Sequence, residues 1–288
     1  MRFLRSAFTV GFLALAVLAV NLFSFDSAKT FDFFVLPFLA LCLWYQTRDP
    51  VTRLPLERHE LRTDIISLAV VILFTVLQNR LIHLYYHRLC ERGPAFASLT
   101  PEVLRLGRFP LWAECILAFL AYDFLFYATH RMAHGIPFLW KLHAMHHAPN
   151  KMTYLNSNRV HPLDLVFRRY GPIVVLLALG ISQNAFIFVG VIVNVFGPIT
   201  HLNIKLRHGP LNYLIGTNEV HIWHHSADPR EAKNYGITML WDHLFGTYFF
   251  PTDRRMPDKL GLTAPEGIPV HDYLRQVFLS ATVKRDPG

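Results

Sequence analysis

Charge is scarce in this chain. Asp, Glu, Lys and Arg make up 17% of it against 52% hydrophobic residues, whereas an ordinary soluble domain is about 25% charged. That balance excludes a typical water-soluble globule and puts the membrane class first. Cysteine is scarce too. Cys42, Cys90 and Cys115 lie scattered in or beside apolar segments, which excludes a disulfide framework and a cysteine metal site. No Gly/Ser-rich linker or acidic run divides the chain, so a single domain is expected. No glycine-rich dinucleotide fingerprint or flavin motif occurs, and any electrons the protein uses must come from a separate partner. The net charge of +8 is not gathered into an aromatic-interleaved basic face, which argues against nucleic acid and for anionic lipid headgroups.

Apolar runs are plentiful. Residues 8–25, preceded by Arg2 and Arg5, read as a first membrane helix rather than a signal peptide, because the run is long and no small-x-small cleavage site closes it. Residues 31–45 form a second run near the short limit for about 30 Å of hydrocarbon. Arg48, Arg53, Arg58 and Arg62 follow and place this loop in the cytoplasm. Thr63 or Asp64 is expected to cap a helix through residues 65–77, continuing towards Cys90 and stopping at Gly93-Pro94. Residues 111–127 are a fourth run. Residues 170–200 are too long for one crossing and are interrupted at Gly180-Ile181-Ser182, which predicts a hairpin or a half-inserted pair of helices whose ends return to the same side. Beyond His201 the chain turns polar and loop-rich, a cytoplasmic cap, and residues 273–278 suggest an interfacial helix with Tyr273, Leu274, Val277 and Phe278 on one face. Three regions result: 1–110 with the N-terminal membrane helices, 111–250 catalytic, and 251–288 as a tail.

The functional signal is histidine. His130 and His134 are four apart, His143, His146 and His147 read H-x-x-H-H, and His221, His224 and His225 repeat that triplet. Residues spaced i, i+3 and i+4 project from one side of a helix, which is how a helix holds a metal ion. Eight imidazoles exceed the needs of one ion, and first-row ions take nitrogen ligands, so two ions side by side are expected. His201, where the last hairpin re-enters the cap, is placed with them. His161, in the Arg-Val-His-Pro turn, is a ligand or a donor behind one. His83 and His87 repeat the i, i+4 spacing, but their tyrosines and flanking Arg80 and Arg88 read as a membrane-interface belt.

In order and spacing these histidines resemble the fatty acid hydroxylase and sterol desaturase superfamily of integral-membrane di-iron enzymes. Flanking residues add to the likeness: Asp123, Tyr127 and Arg131, Trp140-Lys141, the stretch from Asn156 to Pro162, His201 with Asn203, Asn234-Tyr235-Gly236, and Trp241-Asp242 with Phe245-Gly246-Thr247. It covers about residues 111–250. The resemblance implies an all-α, polytopic membrane bundle whose histidine-rich cytoplasmic cap holds two Fe ions. It also implies a lipid substrate in the bilayer, O2, and electrons from a ferredoxin, a rubredoxin or a b-type cytochrome with its reductase, giving hydroxylation or desaturation. No catalytic residue beyond the ligands is implied. Lys205 stands where some relatives carry a further histidine, which leaves the second iron one protein ligand short or completed by His161, His208 or water.

Two other classes stay open. A zinc hydrolase would carry H-E-x-x-H, and the intervals here are HRMAH and HIWHH. A metal transporter would place its histidines along a crossing path of charged residues. Asp123 lies seven residues before His130, on the same helical face, and is expected to accept that ring's second N–H. Asp242 either does the same for a ligand or caps local amides in its turn.

Overall fold

The computed structural model describes residues 40, 44, 46, 58–92, 105–205, 207–251, 256–262 and 272–279. The run at 8–25, nearly all of the run at 31–45, the Gly93-Pro94 stop, His271 and Cys42 lie outside the described residues, as do the side chains of His59 and Cys90. Among the described residues the fold is helical, with two isolated β-bridges, Ile215 to Thr238 and Ser226 to Leu260. The helices are α1 (Arg58–Arg92), α2 (Leu111–Gly135), α3 (Pro137–His147), α4 (Pro162–Leu165), α5 (Gly171–Ala178), α6 (Gln183–Thr200), α7 (Asn218–His224), α8 (Leu240–Leu244) and α9 (Tyr273–Leu279). A π-helical turn, Val166–Tyr170, joins α4 to α5.

Three of these helices are long and apolar enough to cross a membrane, over Glu60–Tyr85, Leu111–Gly135 and Gln183–Thr200. At about 1.5 Å per residue each spans or approaches the hydrocarbon thickness. Ile72, Leu73, Val76, Leu77, Leu81 and Leu84 of α1 are exposed, a contiguous apolar face suited to lipid and costly in water. The opposite side of α1 carries buried Thr63, Asp64 and Ser67. Here the expectation of a cap at Thr63 or Asp64 is corrected. The helix starts at Arg58, and Asp64 instead accepts two hydrogen bonds from buried Arg159, 2.8 Å from Nε and 2.5 Å from Nη2. Burying either charge alone is costly, so the pair fixes α1 to the loop that enters α4.

The predicted hairpin is present as α5, a turn and α6. Gly180 takes φ +65°, a conformation glycine adopts without Cβ strain. The turn is clamped from outside: the amide of Leu106 donates to the Leu179 carbonyl at 2.9 Å, and that of Gly107 to the Gly180 carbonyl at 3.2 Å. Glu114, buried near the start of α2, accepts from the Ser182 amide at 2.6 Å and its hydroxyl at 2.8 Å. Cys115, Ala118 and Tyr122 of α2 then pack with Ile173, Leu176, Ala185 and Val189 of the hairpin. This packing sets the ends of α2 and α6, which carry His130, His134 and His201, beside one another.

The C-terminal helix differs from its expected orientation. Tyr273 and Gln276 are the buried residues of α9, and Leu274 and Phe278 are 63% and 75% exposed. A polar residue belongs to the inner face because α9 packs on α1 and α3 through the Tyr273 and Gln276 side.

Candidate metal centre

α2 ends at Gly135, and Pro137 at the first position of α3 starts the next helix after a single extended residue, Ile136. Proline is suited to that position because its missing N–H would have no helical partner. The tight corner folds α3 back along α2, so that His143 and His147 meet His130 and His134. The hairpin end delivers His201, the residue that caps α6. Thr217 accepts from the Val220 amide and starts α7, which carries His221 and His224 with His225 as its C-terminal cap.

The nine histidines singled out in the sequence converge in two groups. His130, His134, His143, His147 and His224 form one, and His146, His201, His221 and His225 form the other; within each group the ring nitrogens lie within 4.8 Å of one another. Eight of the nine are buried and His221 is half-buried. Each H-x-x-H-H triplet divides between the groups. His143 and His147 join the first while His146 joins the second; His221 and His225 join the second while His224 joins the first. Helical geometry explains the division, because residues i and i+4 are about 40° apart around the axis whereas i+3 and i+4 diverge by about 100°. The rings of His147 and His225 stack at 4.4 Å where the groups meet.

Hydrogen bonds fix the tautomers. A carbonyl only accepts, so the contact of His130 Nδ1 with the Tyr235 carbonyl at 2.9 Å, and of His224 Nδ1 with the Lys233 carbonyl at 2.8 Å, makes both Nδ1 atoms donors. His143 Nδ1 likewise donates to the Asp164 carboxylate at 3.2 Å, and His201 Nδ1 to Asn156 Oδ1 at 3.3 Å. Each neutral ring is left with a lone pair on Nε2. Yet His130 Nε2 lies 3.1 Å from His143 Nε2, lone pair against lone pair, while His201 Nε2 lies 3.0 Å from the ring of His221, either nitrogen of which can carry the proton. His224 Nε2 is buried and without a hydrogen bond. Lone pairs aimed at one another in a buried site repel unless a cation lies among them, so the donor set fits metal ions. The rings are also neutral and ready to ligate. Burial first, and the charge of Arg168 second, push His143 down to about 4 and His201 to about 3. His146, His147, His221, His224 and His225 are held well below the usual range, by burial above all.

Behind these rings lies a support the sequence showed only in part. Asp123 does not take up His130. It accepts from the amides of Ile237 at 2.7 Å and Thr238 at 3.2 Å, and from the Thr238 hydroxyl. Asp242 accepts from the amides of Tyr235 at 2.9 Å and Gly236 at 2.8 Å and from the Thr247 hydroxyl at 2.7 Å. The two carboxylates therefore hold the segment 235–238, whose Tyr235 carbonyl orients His130. Asn234, with φ 68°, turns the chain so that the carbonyls on its two sides reach His224 and His130; asparagine tolerates that left-handed conformation better than most residues. A carbonyl has no sequence signature, and this is why the role of the segment was not legible.

Gly236 shows how tight the support is. A Cβ there would collide with the Thr238 carbonyl and come within 3.1 Å of Asp242 Oδ2. Gly236→Ala is expected to displace the loop, lowering stability by about 1–3 kcal/mol and weakening metal retention. Thermal denaturation and metal analysis check it, and a variant equal to the parent in both would show that the loop yields freely.

Other histidines fall elsewhere. His161 lies outside both groups: its Nδ1 accepts from the Leu163 amide at 3.1 Å at the start of α4, and the ring also bonds the backbone of Val277 on α9. It ties the C-terminal helix down. His208 is outside as well, with Nε2 2.8 Å from Asn218 Oδ1, so neither supplies the further ligand considered opposite Lys205. His83 and His87 are exposed on α1, ring centroids 6.3 Å apart. Alanine at either is expected to leave bound metal unchanged, and a loss of metal would put α1 into the site. The acid that sequence reading missed is Asp164, which also binds Arg168 through Nε at 2.9 Å. Burial would raise its carboxyl, but the charge of Arg168 and the His143 contact outweigh it and hold the carboxyl below the usual range.

Beside the histidines is a cavity of about 120 Å³. His130, His146, His201 and His221 form one wall, and Val71, Phe126, Leu165, Val193 and Phe196 supply an apolar one. No Asp or Glu lines it among the described residues.

Residues 115–247 match a family model described as Fatty acid hydroxylase. The chain is 32% identical over 158 residues to the ornithine lipid hydroxylase OlsE of Rhizobium tropici, covering 54% of this chain and 47% of that protein. It is 34% identical over 158 residues to the alkylglycerol monooxygenase of Danio rerio, 52% of this chain and 33% of that one. With the fatty acid hydroxylase ahd1 of Mycosarcoma maydis it shares 30% over 187 residues, 63% and 45% of the two chains. The chain thus spans less than half the length of these three relatives. No solved structure matches it.

Proposed function

From a chain whose residues 115–247 match the fatty acid hydroxylase family model, we infer a membrane-bound di-iron oxygenase that hydroxylates a lipid C–H bond. The observation that carries this reading is the pair of histidine groups, with the Nε2 lone pairs of His130, His143, His201 and His224 left free, beside a cavity that has one apolar wall. The first iron would take His130, His134, His143, His147 and His224, the second His146, His201, His221 and His225. Two irons so held supply O2 activation and C–H oxidation, chemistry no side chain here can perform. The overall balance is one C–H bond, O2, two electrons and two protons giving an alcohol and water.

The chain's own residues bind, orient and exclude water. The histidines are neutral donors in a nearly apolar site. Tyr235, Lys233, Asn156 and Asp164 fix their tautomers, and hydrogen-bonded carboxylates or carbonyls behind a ligand raise its basicity. The apolar wall holds an alkyl portion of the substrate against the metals and keeps bulk water out. The names of the relatives, hydroxylase and monooxygenase, favour hydroxylation over desaturation. A zinc hydrolase would use a carboxylate as base at the substrate, and among the described residues none lines the cavity. Electrons come from a separate ferredoxin, rubredoxin or b-type cytochrome, docked on the cationic face of a cap that faces the cytoplasm, the side indicated by Arg48, Arg53, Arg58 and Arg62.

Metal analysis of the purified protein, joined to lipid mass spectrometry of a strain lacking it, tests the proposal. About two irons per chain and the disappearance of a product about 16 Da heavier than its precursor are expected. One zinc per chain, or an unchanged lipid profile, would overturn it.

A further inference from the structure

Two arginines line the cavity, and they are adjacent: Arg168 and Arg169 in the π-helical turn. Arg168 is neutralised by Asp164. Among the described residues Arg169 has no carboxylate partner. Its Nη2 donates to Asn194 Oδ1, and Asn194 is held in place by its own Nδ2 donating to the Gly190 carbonyl at 2.8 Å. One neutral acceptor occupies one of five guanidinium N–H donors. A half-buried cation beside an apolar wall, in a cavity that no described Asp or Glu lines, is under-compensated by the described residues around it. π-helical turns are frequent at functional sites. This one sends consecutive arginines to different partners, one behind a metal-binding ring and one to the cavity.

We propose that Arg169, oriented by Asn194, anchors an anionic headgroup, a carboxylate or a phosphate, so that the substrate is an anionic amphiphile. The proposal rests on the oxygenase reading of the same cavity and names its substrate class. A planar guanidinium matches either anion with two parallel hydrogen bonds. Distance along α6 adds a positional consequence. Asn194 precedes His201 by seven residues, about 10 Å of helix, far less than an extended long acyl chain. The oxidised C–H bond therefore lies near the polar end of the substrate rather than at the remote methyl end.

Binding is measured by calorimetry on the protein in nonionic detergent with four probes: dodecyl phosphate, dodecanoate, dodecanol and dodecyltrimethylammonium. Metal-free and iron-loaded protein are both used, so that coordination to iron does not imitate the arginine. The parent is expected to prefer one or both anions, and their ranking separates phosphate from carboxylate. Arg169→Gln should weaken anion binding about ten-fold or more and leave dodecanol unchanged. Asn194→Asp keeps the arginine but gives it an internal anion, and should abolish the preference as well. Dodecanol bound as tightly as the anions by the parent, or an anion preference intact in either variant, would overturn the proposal. Failure of the oxygenase reading looks different: arginine-dependent anion binding with no hydroxylated product removes that reading and keeps the headgroup site.

Discussion

Alanine in place of His221 is expected to reduce bound iron to about one ion per chain, whereas alanine in place of His134 should retain close to two. The asymmetry follows from the grouping. The first group has five imidazoles and the second four, and since first-row ions take four to six ligands the smaller group has none to spare. His134→Ala leaves four rings; His221→Ala leaves three. Dialysis of both variants against a graded series of chelator, followed by metal analysis, reads the difference directly. Equal loss from the two would contradict the division into groups, and full iron with full turnover in both would remove the histidines from the ligand set. Both variants should lose product, because His134 and His221 each define one ion's position relative to the cavity.

The same grouping shows what was legible in the chain. Spacing of i, i+3 and i+4 is a local property, so the triplets and their helices could be read directly. Which histidines of the two triplets meet was not local: that His143 and His147 join His224, and His146 joins His221 and His225, depends on α3 and α7 packing together. The hairpin at 170–200 was legible through Gly180, whose φ of +65° is a backbone demand that glycine meets. Asp123 was legible as a buried carboxylate in need of a partner, yet its partners are amides 114 and 115 residues away, and no pattern announces such a meeting. Asp64 misled for the opposite reason. An aspartate before an apolar run reads as a helix cap, but the helix extends past it and Arg159 takes its charge.

Asp164 is the residue whose loss should cost the site most without touching a metal. In sequence it looks like an acid in the first turn of a short helix, favourable to the helix dipole and little more. In the fold it joins His143 to Arg168, with both its carboxylate oxygens within 3.0 Å of Arg168 Nε. The carboxyl is held below its usual range, so it is ionised at neutral pH, and Asp164→Asn removes a whole charge. Two consequences are separable. Arg168, itself buried, is left without its anion, a defect that typically costs about 3–5 kcal/mol. His143 loses the acceptor that fixes its Nδ1 proton, and the affinity of the five-histidine group should fall about 10 to 100-fold. The double variant Asp164→Asn with Arg168→Gln tells them apart, since it removes the stranded cation but not the lost acceptor. Thermal stability should largely return in the double variant while iron affinity stays low. Recovery of both would mean that the carboxylate serves only to neutralise Arg168, and parent-like iron affinity in the single variant would mean that His143 needs no partner behind it.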